Sequence, residues 1–320
     1  MRQIRYLCLL LALVLCLSGC GGASQTEAAP VGSIGDDSVP NAGYSTSAAR
    51  FEPYQAPAFA DSAFHRDLAE ADGDAMIDVS AVSDGYVGVS AQSDTRLKFQ
   101  VVKDETVYNY DLASDGTPSI FPLQSGDGTY RFRIMENVTE SRYAERFAVS
   151  CDVALKDEFT PFIRPSDYAD YSQSSLCVKK AAELAGTVSD EVGVVSEVYA
   201  YICRTVTYDT PKAENVQSGY LPDVDETMTS GKGICIDYAA LAAAMLRSQG
   251  IPTKVIFGYV SPNDLYHAWN MFYTRQTGWV TVSFETKGGQ WTRMDLTFVA
   301  NGADDSFVGN GENYTDLYYY

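Results

Sequence analysis

Gly231-Lys232-Gly233-Ile234-Cys235-Ile236-Asp237-Tyr238-Ala239-Ala240-Leu241-Ala242-Ala243-Ala244-Met245-Leu246-Arg247-Ser248-Gln249-Gly250 is the stretch on which the reading of this chain turns. Alanine and leucine dominate it, both strong helix formers, and the closing glycine supplies a stop. The composition predicts one helix with Cys235 in its first turn. Its residues are apolar nearly all round, so the helix is expected to be central and buried. A helix start offers unpaired N–H groups and a partial positive charge, which favour a thiolate and can hold an oxyanion beside it. Asp237 opposes a second negative charge, but two positions on it lies well round the helix, and a small effect is expected.

Downstream the period changes from helical to alternating. Ile251 to Val260 is β-rich after the Gly250-Ile251-Pro252 break, and Tyr266-His267-Ala268-Trp269-Asn270-Met271-Phe272-Tyr273 alternates, with His267 and Trp269 on one face. Trp279 to Phe284 and Trp291 to Phe298 read as further strands, the second entered through Gly288-Gly289. A cysteine at a helix start, then a strand histidine, then Asp295 near a strand end is the order a thiol–imidazole–carboxylate relay needs. The chain has two histidines, so His267 has one rival, His65, in a predicted linker.

Upstream, Tyr168 to Ala185 and Asp190 to Val206 carry helical spacing, with Gly186 between them. Cys177 and Cys203 sit there beside apolar neighbours and read as small buried hydrophobes. From residue 74 to 158 the pattern is period-two, as in Leu97-Lys98-Phe99-Gln100-Val101 and Tyr130-Arg131-Phe132-Arg133-Ile134. Turn signals at Ser83-Asp84-Gly85, Ser114-Asp115-Gly116 and Ser125-Gly126-Asp127-Gly128 divide it into six or seven strands, the pattern of an immunoglobulin-like β-sandwich. That part shows no site chemistry, and a spacer or docking role is expected for it. The acidic clusters Asp223-Val224-Asp225-Glu226 and Asp304-Asp305 lack calcium-loop spacing and read as solvated loops.

Taken together, Gly-Lys-Gly-Ile-Cys235-Ile-Asp-Tyr-Ala-Ala-Leu, the following Gly-Ile-Pro, His267-Ala-Trp and Trp291-x-x-x-Asp295-x-Thr resemble the transglutaminase-like superfamily of papain-fold cysteine enzymes, over residues 165–300. The resemblance implies an α+β domain over 159–320, a central catalytic helix packed on an antiparallel sheet. It further implies Cys235 as nucleophile, His267 as general base and acid, Asp295 as orienter, and no cofactor. Tyr208, in Val206-Thr207-Tyr208-Asp209, is a candidate for a second oxyanion donor. The sequence departs from the family in two places: Leu296 stands where proline is usual, and 28 residues separate His267 from Asp295. An extra hairpin over 276–290 would account for that interval. A zinc site of Cys, His and Asp lacks the paired spacing such sites show.

The first residues read as an address. Arg2 and Arg5 precede the apolar run Leu7–Leu17, which is short of the ~20 residues of a spanning helix. Leu17-Ser18-Gly19-Cys20 resembles the lipobox of bacterial lipoproteins, which implies removal of 1–19 and diacylation of Cys20. Residues 20–50, rich in small and polar side chains, are then a flexible tether, and 51–73 a linker. The expected setting is extracytoplasmic, at the cell membrane, attached through the lipid alone.

Composition limits the partners. With 42 acidic against 23 basic residues and a net charge of −19, a nucleic-acid binder is excluded. Of seven cysteines, Cys8 and Cys16 leave with the signal, and Cys151, Cys177, Cys203 and Cys235 show no repeated spacing, although one bridge among them is compatible with the sequence. The expected substrate is a peptide or protein, attacked at an amide, with hydrolysis favoured over transamidation. The alternative is a surface-tethered lipoprotein that binds peptide or cell wall without chemistry.

Overall fold

The computed structural model describes residues 51–261, 265–280, 285–286, 290–291 and 314–320. The signal and tether expected over 1–50, Cys20, Asp295, Leu296 and Asp304-Asp305 lie outside the described residues. Among those described, no helix is long and apolar enough to cross a membrane.

The N-terminal part consists of eight strands: β1 (Glu70–Asp72), β2 (Ala75–Asp78), β3 (Tyr86–Ser90), β4 (Leu97–Lys103), β5 (Thr106–Leu112), β6 (Ser119–Pro122), β7 (Gly128–Thr139) and β8 (Arg142–Val153). They form two four-stranded antiparallel sheets, ordered β1-β2-β3-β6 and β5-β4-β7-β8. Alternation does what the sequence requires of it. In β4, Leu97, Phe99 and Val101 are buried while Lys98 and Gln100 are only half so. Phe99 stacks on Phe121 and Phe132, joining the two sheets through one core.

The C-terminal part is α+β. Helices α1 (Leu176–Ala185), α2 (Glu191–Thr205), α3 (Thr210–Asn215), α4 (Val224–Ser230) and α5 (Cys235–Ser248) precede strands β11 (Thr253–Val260), β12 (Leu265–Thr274), β13 (Gly278–Val280) and β16 (Tyr314–Tyr319). The sheet order is β13-β12-β11-β16, antiparallel throughout. A short parallel pair, β9 (Thr207–Tyr208) with β10 (Lys232–Gly233), leads into α5, and β14 (Glu285–Thr286) pairs antiparallel with β15 (Gln290–Trp291).

Two expectations need correction. The helix expected from Tyr168 begins only at Leu176. Ser172 and Ser175 bond to one another's stretch of backbone and side chain, the competition that keeps serines out of helix interiors. The acidic run at 223–226 is no free loop. Asp223 caps α4 by accepting from the Glu226 N–H, and the Asp225 carboxylate accepts the Leu176 and Cys177 N–H groups at the start of α1.

α5 is the centre of this part. Every residue from Ile236 to Ser248 is buried. One side packs with α1 and α2 through Tyr238, Leu241 and Met245; the other places Ala239 and Ala243 in the same core as Val255, Ala268 and the N-terminal sheets. Residues 51–64 lack regular structure, yet Tyr54 and Phe59 pack against the helical core, and the Tyr54 hydroxyl donates to the Gln249 carbonyl at 2.9 Å.

Arg247, in the last turn of α5, is buried with no side-chain carboxylate among its described partners. Its guanidinium donates instead to the Thr253 and Arg164 carbonyls, the Ser166 hydroxyl and a backbone oxygen of Tyr320, at 2.8 to 3.1 Å. Burial lowers its pKa to about 10, which still leaves it charged at neutral pH. One side chain thus joins α5, β11, the 164–166 segment and the end of β16. Arg247→Ala, which strands four acceptors in a dry site, is expected to cost about 3–5 kcal/mol in urea denaturation. A loss below about 1 kcal/mol would show that the bonds are replaceable.

Candidate active site

The approach to Cys235 is set by two glycines. Gly231 adopts a left-handed conformation (φ 63°) as the C-cap of α4, turning the chain into β10. At Gly233 an added Cβ would lie 2.7 Å from the Asp237 Cβ, so only glycine lets that side chain fold back over the helix start. It does fold back: Asp237 accepts from the Ile234 N–H at 2.8 Å, the carboxylate half of a capping box. Asp237 is fully buried and also accepts from Lys212 Nζ at 2.7 Å and the Tyr220 hydroxyl at 2.6 Å. The expectation of a carboxylate turned away round the helix is therefore corrected. It faces the N-terminus, and Lys212 answers its charge.

Burial alone would lower the pKa of the Lys212 ammonium, but its bonds to Asp237 and Tyr220 outweigh burial and raise it. The Tyr220 phenol is pushed up to about 12, by burial and then by the bond it donates to Asp237. At neutral pH the pairing is Lys⁺ with a protonated tyrosine.

His267 lies on β12 opposite Gly258 of β11, 3% exposed, with its ring centroid 6.3 Å from that of Trp269. Asn270, on the same strand, was not singled out by sequence. Its amide donates to the Ala239 carbonyl of α5 at 3.0 Å and the Lys254 carbonyl at 3.2 Å, tying the histidine strand to the cysteine helix. A polar amide in the middle of a β-rich apolar run was the available signal, since such a group must be hydrogen-bonded when buried.

Cys235 and His267 line one cavity of about 650 Å³. Tyr208 shares that lining, brought there by the pairing of β9 with β10 directly ahead of Cys235. Tyr168, Phe257, Tyr266, Tyr318 and Tyr320 supply an aromatic wall. Burial, then the neighbouring Tyr318, Tyr259 and Cys235, raises the pKa of the Tyr266 phenol. The N-terminal sheets contribute as well: Lys98, Asn109 and Asp111 of β4 and β5 stand in the lining. His65 is elsewhere, 3.1 Å from Asp78 of β2. Among the described residues no cluster of His, Cys, Asp and Glu could hold a metal ion.

The four cysteines described are all free thiols. Burial pushes Cys177 up to about 12, and burial likewise raises Cys151 and Cys203.

Residues 178–284 match the family model of the transglutaminase-like superfamily, a span that includes both Cys235 and His267. The chain carries a transglutaminase-like domain. An uncharacterised protein of Mycobacterium leprae (strain TN) is 26% identical over 165 residues, 52% of this chain and 55% of that protein, so the chain spans about half the length of the curated relative it matches. Among solved structures, a Cytophaga hutchinsonii protein provisionally assigned as a cysteine protease is 16% identical over 72% of this chain and 73% of its own, with a TM-score of 0.38. Legionella pneumophila LapG is 13% identical over 47% and 85%, with a TM-score of 0.29. Red sea bream transglutaminase is 14% identical over 66% and 48%, with a TM-score of 0.28.

Iodoacetamide at neutral pH is expected to label Cys235 at least about tenfold faster than Cys151 or Cys203, which are also only partly covered but have raised pKa values. Peptide mass spectrometry over a time course reads the rates. Equal rates would remove the case for an activated thiol.

Proposed function

We propose that this chain is a membrane-anchored, extracytoplasmic thiol enzyme that cleaves amide bonds in peptides or proteins. The observation that carries the reading is the shared cavity, with a cysteine at a buried helix start on one side and a strand imidazole on the other. The Cys235 thiol passes its proton to His267 as its sulfur attacks the carbonyl carbon, and the N–H groups at the start of α5 stabilise the tetrahedral oxyanion, with Tyr208 as a second donor. The C–N bond then breaks, and His267 gives its proton to the leaving amine. Water adds to the thioester, His267 takes the water's proton, and the carboxylic acid leaves with the thiol restored. Asp295 has the role of holding the imidazole in the tautomer this needs. No cofactor enters the sequence of steps.

Water is taken as the acceptor. An amine in its place gives transamidation by the same residues, and incorporation of a labelled amine into product separates the two. Cys20 carries the anchor in this reading, the two N-terminal sheets form the immunoglobulin-like sandwich, and the net charge of −19 favours encounter with neutral or cationic substrates.

The test is an acyl-trapping probe on intact cells, followed by turnover of the captured peptide with purified protein. Cys235→Ala and His267→Ala are each expected to lower kcat by about 10³-fold or more while leaving folding intact. Full turnover by Cys235→Ala would sink the proposal. Peptide retained by the wild-type protein without cleavage would instead support a binding protein.

A further inference from the structure

The cavity is lined on one side by the end of α3 and the segment that follows it. Ala213, Val216, Gln217, Ser218, Gly219 and Tyr220 all line it, and the segment has no regular structure after Asn215. Its own hydrogen bonds are local: the Val216 N–H to the Lys212 carbonyl, the Tyr220 N–H to the Gln217 carbonyl, and the Gln217 amide to the Asn215 carbonyl. Its tie to the cysteine helix runs through side chains. Lys212 Nζ and the Tyr220 hydroxyl both donate to Asp237, at 2.7 and 2.6 Å. Lys212 also donates to the Tyr220 oxygen at 2.6 Å and sits 4.5 Å above the Tyr220 ring.

The energetics explain why the segment is drawn inward. A fully buried carboxylate is costly unless it is paired, and the single Ile234 N–H does not satisfy two oxygens. Lys212 and Tyr220 supply the remaining donors, and the chain between them must then cross beside the thiol. Opposite, the segment backs onto the N-terminal sheets: a Cβ added at Gly219 would lie 2.8 Å from Asp111 Oδ2. The tie runs from the buried Asp237 carboxylate outward to a Lys212 side chain that is 31% exposed, so it can part from its outer end, with water reaching the ammonium first.

We propose that Asp237, Lys212 and Tyr220 form a latch that sets the width of the thiol cleft and so selects acyl groups by their bulk. They are specificity-determining residues that act through the position of the 213–220 wall, and Asp237 also fixes the amide directly ahead of the thiol. A narrow acyl group beside the scissile amide passes the latched wall; a broad one requires it to open. The biological meaning rests on Cys235 being the nucleophile, as proposed above. The latch itself is tested without turnover.

The experiment compares two thiol reagents, iodoacetamide and N-(1-pyrenyl)maleimide, on full-length protein, reading Cys235 adduct by peptide mass spectrometry. Both react with the thiolate, so the ratio of their rate constants reports access rather than reactivity. Tyr220→Phe removes one oxygen; Lys212→Met and Asp237→Asn remove either charge, with circular dichroism and Tm recorded for each. The pyrenyl-to-iodoacetamide ratio is expected to rise about tenfold in Tyr220→Phe and Lys212→Met, the population shift that follows loss of one charge-assisted bond. Asp237→Asn should rise at least as far. If it does not fold, the two surface-side variants decide. An unchanged ratio in folded Tyr220→Phe and Lys212→Met overturns the latch. So does a Cys235 that neither reagent labels in any variant, because the cavity would then not admit solvent-borne groups. Loss of peptide turnover in Cys235→Ala bears on the nucleophile alone and leaves the ratio untouched.

Discussion

The complete burial of α5 is the constraint on which the rest of the C-terminal part depends. A helix sheathed on all sides needs small and apolar residues, and the alanine-rich run from Ala239 to Leu246 provides them. It tolerates charge only where charge is answered. Asp237 in the first turn and Arg247 in the last are set in the favourable sense for the helix dipole, acid at the positive end and base at the negative. Both are buried, so each takes one partner from close by, 234 for the acid and 253 for the base, and recruits the rest from farther along the chain, 212 and 220 for the acid and 164, 166 and 320 for the base. The two charged residues of a buried helix therefore help to organise the segments around its two ends.

Much of this was legible in the residues. The helix beginning at Cys235, the strand bearing His267 and the alternation of the N-terminal strands follow from composition and period, and they are found where those predict. The setting aside of His65 as a rival base follows from its place ahead of the first strand, and the structure puts its ring beside Asp78. What was not legible is of one kind. Its angle round the helix places Asp237 away from the thiol, whereas a carboxylate in the third helical position folds back to the amide ahead of it. The acidic neighbours of Asp225 suggest a solvated loop, whereas its two oxygens serve another helix altogether. Lys212 and Tyr220 carry no sequence signal, because their role exists only once the helix start has buried its carboxylate. Local pattern reports what a residue does for its own element; Asp225, Lys212 and Tyr220 act on a different one, and Asp237 both caps its own helix and holds the segment ahead of α4.

The N-terminal sheets show the same limit at a larger scale. Their strands read as a self-contained unit, and their alternation does fill a core of their own. That core nevertheless runs on without a break into Ile234, Ile236, Ala239 and Ala243 of the cysteine helix segment, through Tyr110, Tyr168 and Tyr320. Lys98 and Asp111, a cross-strand pair 3.0 Å apart, reach the cavity from the outer positions of their strands. A cleft between two packed layers is where a ligand finds both apolar floor and polar rim.

The sheet order places β16 beside β11, although more than fifty residues of sequence separate them. Tyr320 exchanges backbone hydrogen bonds with Val255, and its ring meets Tyr108, Tyr168 and Phe257. Contacts of such long sequence separation form late, because loop closure must precede any reward. During synthesis, then, the helix and hairpin that bear the sulfur and the imidazole emerge while β11 still has a bare edge and Arg247 still lacks one acceptor. The β11 edge is covered only when β16 has been delivered, so a chain stopped short of residue 314 is left with an open sheet edge and an aromatic face uncovered, the features by which incomplete chains aggregate.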